Sequence, residues 1–260
     1  MRRVFIGAAV CFAAALVIPG VASAETIEDT LERTLPFSAG SRLEVSNTNG
    51  GIEVSTWDRN EIQIEARKKV KSSNAERARE AFEELEISID ETAGGVTIET
   101  EYPRRGSGGW GRDVSMSVHY TIRVPVQSDL DLGTVNGKVR VEGVNGELDL
   151  HTTNGGIIVE DAGGHVSART TNGGIDVELA QVSSGEDMTF RTTNGGITLL
   201  LPSDIRATLT ARTTNGGIHT DFPVTIQGSI GKNRLEGDLN GGGGSIELRT
   251  TNGSIRIRQL

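Results

Sequence analysis

The sequence has almost no cysteine and few aromatic residues. Among its 260 residues there is one cysteine, and aromatic residues make up 4% of the chain. Cys11 lies in an apolar stretch near the N-terminus, so the rest of the chain has no thiol for a disulfide bond or a metal site. A core with few aromatic rings must be built from Ile, Val and Leu, and a chain rich in β-branched residues favours β structure.

Long apolar runs are also missing. After residue 24 no run approaches the ~18 apolar residues that a membrane-spanning helix needs. The first 24 residues resemble a secretory signal peptide, with Arg2 and Arg3 before an apolar stretch and a small-residue cleavage site at 22–24. The sequence predicts a protein exported to the periplasm or the cell exterior, with no transmembrane segment after signal removal.

Positive charge is scarce as well. The formal net charge is −9, and the mature chain is more acidic still because Arg2 and Arg3 leave with the signal. An acidic surface repels phosphate backbones, so we expect no nucleic-acid partner.

Histidine is rare, and its placement does not indicate a metal site. All four histidines fall out of phase with the apolar residues beside them, and none has a second His or Cys at ligand spacing. We therefore predict no metal and no other cofactor, and we expect these side chains to face solvent: His119, His151, His165 and His219.

Residues 25–125 predict a β-rich region that contains one helix. Apolar and polar residues alternate over 41–70, which indicates three short strands around a turn at Asn49-Gly50. Over 73–85 the apolar residues recur at helical spacing, and Ser73 with Glu76 matches a capping box. We predict a short helix near 73–85.

Residues 126–260 repeat one short pattern, and we expect them to continue the N-terminal region. Thr-Thr-Asn-Gly occurs five times, and turn residues recur every nine positions between Asn136 and Asn172. Repetition indicates architecture, whereas an active site is assembled from residues used once. Two strands in about 18 to 22 residues is the period of a β-solenoid, whose units bury their apolar rows against each other. The Asn and Thr residues would then form columns that share hydrogen bonds.

An antiparallel β-meander folded into a sandwich also fits this pattern. If each Asn-Gly were a two-residue hairpin loop, Thr170 would face Ile175 and Ala168 would face Val177. Charge favours this alternative, because arginines stacked about 4.8 Å apart in a solenoid would repel unless acids interleave. The arginines in question hold the same place in the repeat: Arg169, Arg191, Arg212 and Arg249. We predict an all-β parallel solenoid, with the meander as the alternative.

The order of these features resembles the bacterial DUF4097 family, a family of candidate adhesins with β-strand repeats. The resemblance rests on "LEVSNTNGGIEVSTWDRNEIQIEARKKV" at 43–70, the short helix, "YTIRVPV" at 120–126 and the repeated "TNGGI" strands. It implies a repetitive parallel β-helix-like domain, exported or envelope-associated. It implies no catalytic residues.

The sequence therefore predicts an exported, non-enzymatic β-repeat protein that is structural or adhesin-like and binds an envelope component, a protein or a glycan. A β-helix carbohydrate lyase or hydrolase is one alternative, and a self-associating envelope scaffold is another. One loop combines arginine with tryptophan, residue types that are frequent binding anchors, so it is a candidate binding site. Its residues are Arg104, Arg105, Trp110 and Arg112.

Overall fold

A computed structural model describes residues 25–92, 94–103, 113–181, 187–226 and 231–260. In these ranges the chain forms 21 strands and one helix, which confirms the predicted all-β class with a short helix. The N-terminal elements are β1 (Glu25–Pro36), β2 (Arg42–Ser46), β3 (Ile52–Trp57), β4 (Glu61–Ser72), α1 (Ala75–Glu84), β5 (Glu86–Thr92), β6 (Gly95–Glu101) and β7 (Val114–Pro125).

The repeat region supplies the other strands. They are β8 (Asp129–Asn136), β9 (Val139–Glu142), β10 (Leu148–Asn154), β11 (Ile157–Gly163), β12 (Val166–Arg169), β13 (Ile175–Gln181), β14 (Met188–Arg191), β15 (Ile197–Leu201), β16 (Ala207–Asn215), β17 (Ile218–Thr220), β18 (Val224–Ile226), β19 (Arg234–Leu239), β20 (Gly244–Asn252) and β21 (Ile255–Gln259).

The described strands form two sheets, and the chain passes from one to the other at each Asn-Gly of the repeats, whereas Asn240-Gly241 joins β19 and β20 of one sheet. We name the two sheets sheet A, in the order β1-β4-β7-β3-β9-β11-β13-β15-β21-β17, and sheet B, in the order β18-β19-β16-β20-β14-β12-β10-β8-β2-β6-β5. Within the repeats, each strand pairs in parallel with the strand one coil away, as β10 does with β12 and β11 with β13. The predicted solenoid is confirmed, and the antiparallel meander is wrong, because the strands on either side of an Asn-Gly lie in different sheets.

The nine-residue spacing is therefore half a coil. Asn136, Asn154 and Asn172 meet at one corner of the coil, whereas Asn145 and Gly163 meet at the opposite corner. Because side chains alternate in a strand, every second residue points between the two sheets.

The last coil breaks the order of the sequence. β20 lies between β14 and β16 in sheet B, and β21 lies between β15 and β17 in sheet A. The repeat at 249–254 therefore stacks on the repeat at 191–196, and the repeat at 212–217 lies outside it. The C-terminal strands β20 and β21 therefore lie inside the stack, between the coil of β14 and β15 and the coil of β16 and β17.

The core between the sheets consists of aliphatic rows. The isoleucines that follow the Asn-Gly corners form one such row, and they pair in register across sheet A. Four of them are completely buried, and Ile218 is half-buried because β17 is the last strand of that sheet. The row is Ile157, Ile175, Ile197, Ile255 and Ile218.

The helix packs where predicted, but its cap differs. Asn74 is the N-cap, and its side chain accepts hydrogen bonds from the backbone N–H groups of Glu76 and Arg77 at 2.9 and 3.1 Å. The predicted capping box at Ser73 is wrong, because the N-cap is the next residue, Asn74. The buried side of the helix is formed by Ala78 and Ala81.

Candidate binding face

The first threonine of each repeat is a structural residue of the corner. Thr170 is buried, and its hydroxyl donates to the carbonyl oxygen of Gly155 in the adjacent coil at 2.9 Å. The equivalent bonds, each 2.8 to 3.0 Å long, link every repeat to a neighbour. A hydroxyl satisfies a glycine carbonyl that would otherwise be unpaired inside the corner. The donors are Thr134, Thr152, Thr170, Thr192, Thr213 and Thr250.

The glycine after the asparagine is required because backbones approach closely. A Cβ atom at Gly173 would lie 1.9 Å from the carbonyl oxygen of Gly155, and one at Gly195 would lie 1.9 Å from that of Gly173. Neither glycine has a positive φ. Glycine is therefore required at these two positions because the neighbouring coil leaves no room for a side chain, and not because the backbone is left-handed.

The asparagines form one amide ladder along the outside of the corner. Each Nδ2 donates to the Oδ1 of the asparagine in the next coil over 2.7 to 2.8 Å, and the chain of bonds crosses six coil boundaries. This confirms the prediction that the asparagines of adjacent coils share hydrogen bonds along one column. In spatial order the ladder runs through Asn49, Asn136, Asn154, Asn172, Asn194, Asn252 and Asn215.

An arginine column lies on the outer face of sheet B, one residue before the buried threonines. It is defined by the residues that pair across five adjacent strands, and all five side chains are exposed. Strands in a sheet are about 4.8 Å apart, so the column extends over about 19 Å. In spatial order its members are Arg169, Arg191, Arg249, Arg212 and Arg234.

Acids compensate only part of this column. Arg191 pairs with Glu247 at 2.6 Å and Arg234 pairs with Glu236 at 2.7 Å. The hydrogen bond from Arg234 holds the pKa of Glu236 below its usual value, and the charge of Arg212 adds to this shift. Within the ranges that the structure describes, the other three column arginines form no ion pair: Arg169, Arg212 and Arg249. Acids therefore interleave with only part of the column, through these two ion pairs.

A shallow depression lies at the far end of the arginine column. It has a volume of about 250 Å³ and is bordered by Arg212, Arg234 and Arg249 together with Asn233 and threonines of β16 and β20. Beside the column runs a second column of exposed threonines, one per coil. In the described part of the chain their hydroxyls have no hydrogen-bond partner: Thr171, Thr193, Thr251 and Thr214. Cationic and hydroxyl groups are thus both available on this face.

The two halves of the sheet B face carry opposite charges. Glu44, Asp131 and Asp149 pair across β2, β8 and β10 and form an acidic column, in which Arg42 is bonded to Asp131 at 2.9 Å. The arginine column occupies the strands that follow. Four arginines hold the same place in the repeat, and this was the sequence signal for the column. Only the repulsion between stacked arginines was inferred from that signal.

The predicted binding loop cannot be placed on this face, because Arg104, Arg105, Trp110 and Arg112 lie outside the described residues. No side chain of the four histidines belongs to the core: His165 is half-buried, and the other three are exposed. Among the described residues, no three His, Cys, Asp or Glu side chains are grouped as metal ligands.

A second cavity, of about 480 Å³, lies beside β7 and is bordered by Tyr102 and His119. The phenol and the imidazole that border it already have partners. The Tyr102 hydroxyl donates to Asn47 at 2.9 Å and contacts the Asn49 carbonyl at 2.8 Å, while the Nδ1 atom of His119 accepts from the N–H of Gly51 at 3.2 Å. Burial raises the pKa of Tyr102 to about 12 and lowers the pKa of His119. These groups hold the first coil in place and offer no free nucleophile or base.

The fold and the corner ladders define a β-solenoid protein built from two sheets. The chain belongs to the Toastrack DUF4097 family, whose model matches residues 27–258. The comparison with curated proteins found no match.

Three solved structures resemble the chain. A candidate cell adhesion protein from Clostridium sporogenes is 15% identical, with 89% of this chain and 100% of that chain covered and a TM-score of 0.42. A candidate adhesin from Bacteroides fragilis is 10% identical, with 89% and 97% covered and a TM-score of 0.28. A candidate adhesin from Parabacteroides merdae is 8% identical, with 90% and 96% covered and a TM-score of 0.30. Likeness at this level does not extend a neighbour's name to this chain.

In the described part of the chain, no helix combines the length and the apolar character needed to cross a bilayer.

Proposed function

We propose that this protein is exported to the bacterial envelope and acts there as a non-enzymatic, adhesin-like binding module. The observation that carries the proposal is the arginine column on the outer face of sheet B. Three of its guanidinium groups have no ion pair in the described part of the chain. The signal-like first 24 residues support export.

The fold suits binding because it fixes the spacing of the exposed groups. Each column position is held by backbone pairing on both sides of its strand, and the corner is tied by the threonine bonds and the asparagine ladder. A backbone held in this way needs little rearrangement when a ligand binds, which favours affinity. A catalytic role would need a reactive group, and the phenol of Tyr102 and the imidazole of His119 in the cavity beside β7 are already engaged.

The test is saturable binding of the fluorescently labelled protein, exported and processed by a bacterial host, to washed bacterial envelopes. The column variant Arg169→Gln/Arg212→Gln/Arg249→Gln should lose most of this binding. A matched control, Arg123→Gln/Arg256→Gln/Arg258→Gln, removes three exposed charges from sheet A and should bind like the wild type. Absence of saturable binding by the wild type would contradict the proposed function. Mass spectrometry of the exported chain should find Glu25 at its N-terminus.

A further inference from the structure

The pairing of the arginine column predicts that it adds little to folding stability. Like charges directly opposite each other on neighbouring strands are destabilising. Here Arg249 lies between Arg191 and Arg212, and only Arg191 among these three has an acidic partner in the described ranges. A surface that keeps like charges together at a cost to the fold has the features of a functional site.

The groups on this face indicate the chemistry of the ligand. A guanidinium group offers a planar fork of donors that matches a carboxylate, and the exposed threonine column can both donate to and accept from hydroxyl groups. Because both columns are straight and repeat once per strand, they suit a linear polymer that presents an acid and several hydroxyls in each unit. An acidic polysaccharide has this chemistry, and the arginine column offers it a local cationic surface although the chain as a whole is acidic.

We propose that the arginine column and the adjoining threonine column bind an acidic polysaccharide, which lies across the strands of sheet B. This inference rests on the proposed function and names the ligand class of the same face. The end of the site is the depression bordered by Arg212, Arg234 and Arg249. Each exposed pair contributes little by itself, so binding depends on several contacts made at once along one chain.

Two other partners suit this face less well. Single-stranded nucleic acid is held largely by stacking on aromatic side chains, and Phe190, the aromatic residue of β14, is buried beneath the column. A second copy could bring its acidic column, Glu44, Asp131 and Asp149, onto the arginines, but Asp131 is already engaged by Arg42.

The direct test is fluorescence anisotropy with labelled polygalacturonate, a polymer with one carboxylate per sugar. The wild type should bind it, and the affinity should fall as salt is added because exposed charges are screened. Monomeric galacturonate and neutral dextran should bind far more weakly. The column variant should lose at least about tenfold in affinity, whereas the sheet A control should stay within about twofold of the wild type.

A stability measurement separates a binding role from a structural one. Because the substitutions remove like-charge repulsion, the column variant should melt at the same temperature as the wild type or higher. Lost affinity with unchanged or raised stability supports the proposal. Lost affinity with a lower melting temperature would overturn it, since the arginines would then be acting through the fold.

Further outcomes would also overturn the ligand class. One is tighter binding of a single-stranded oligonucleotide than of polygalacturonate. Another is dimerisation at low salt that the column variant abolishes, detected by light scattering. A third is saturable binding to envelopes without any binding to polygalacturonate; this result would leave the proposed function intact and remove only the polysaccharide.

Discussion

Gly173 and Gly174 are neighbours in one repeat, yet a methyl group would meet different surroundings at each. A Cβ atom at Gly173 would lie 1.9 Å from the carbonyl oxygen of Gly155, which is backbone and cannot move aside. At Gly174 the nearest atom would be the carbonyl oxygen of Gly196 at 3.6 Å, an ordinary contact. The first glycine therefore permits the coils to stack, and the second has space beside it.

This contrast predicts the effect of two alanine substitutions. Gly173→Ala should destabilise the protein by about 1–3 kcal/mol or more, because the two coils must separate to relieve the overlap. Gly174→Ala should change the free energy of unfolding by less than about 1 kcal/mol. Urea denaturation of both variants measures the difference, and equal midpoints would contradict the close approach of the coils.

The two tyrosines of the sequence both belong to the N-terminal coils, and burial raises the pKa of each. The value for Tyr102 is about 12. In the unfolded chain both phenols should ionise near their ordinary pKa of about 10. Deprotonation therefore favours the unfolded state, and the stability that comes from the neutral phenols is present below pH 10 and is lost between about pH 10 and 12.

Alkaline titration tests this sign. Absorbance near 295 nm, which reports tyrosinate, should stay low at pH 10–11 in the native protein and rise at about pH 10 in denaturant. The melting temperature should fall over the same alkaline interval. Native tyrosinate formation near pH 10 would contradict the burial of the two hydroxyls.

Between elements, the asparagine ladder is the most regular contact. Asn172 lies in its middle and forms two amide bonds, donating to Asn154 and accepting from Asn194, each at 2.8 Å. Asn215 lies at one end and forms a single bond, to Asn252 at 2.7 Å. Since a net contribution of about 0.5–1.5 kcal/mol is typical of one hydrogen bond, position in the ladder should determine the cost of losing the side chain.

Asn172→Ala should therefore lower the melting temperature more than Asn215→Ala. For a chain of this size a loss of about 1 kcal/mol corresponds to about 2–4 °C. Differential scanning calorimetry of the two variants provides the comparison. A larger effect at Asn215 than at Asn172 would show that the ladder is not a source of stability.

The strands of the repeats could be predicted from sequence because their pattern follows from local rules. The alternation of Ile175 and Val177 needs one buried face, and both side chains are buried. The role of Gly173 could not be predicted, because it depends on the backbone of the next coil rather than on its own φ. The solenoid prediction stacked Arg169 with Arg191, but the order of the column could not be predicted, because it depends on which strands are neighbours.

The order of the strands was beyond prediction at the scale of the whole molecule. Nothing in the local pattern distinguishes the repeat at 249–254 from the others, yet β20 is inserted between β14 and β16. The neighbours of β20 depend on the complete fold, in which the antiparallel β19 pairs with the other side of β16. Sequence repetition therefore predicts the coil but not the position of each coil in the stack.

The equivalence of the coils gives the last prediction. Leu130, Leu148 and Val166 pair in one row of sheet B, and Val139, Ile157 and Ile175 pair in one row of sheet A. Corresponding asparagines in these coils are 18 residues apart. Deleting Leu148–His165 would remove one whole coil and bring Val166 to the place of Leu148, with every later residue still in its own sheet.

This coil deletion should leave a folded protein, because stability in a solenoid is the sum of coil and neighbour contributions and one of each is lost. Deleting Leu148–Gly156 removes half a coil and serves as the control. It would move every later strand to the opposite sheet, so the glycines and asparagines would no longer meet their partners at the corners. Circular dichroism and cooperative thermal unfolding should therefore be native-like for the coil deletion and absent for the half-coil deletion. Equal behaviour of the two variants would mean that the corner contacts do not fix the register of the stack.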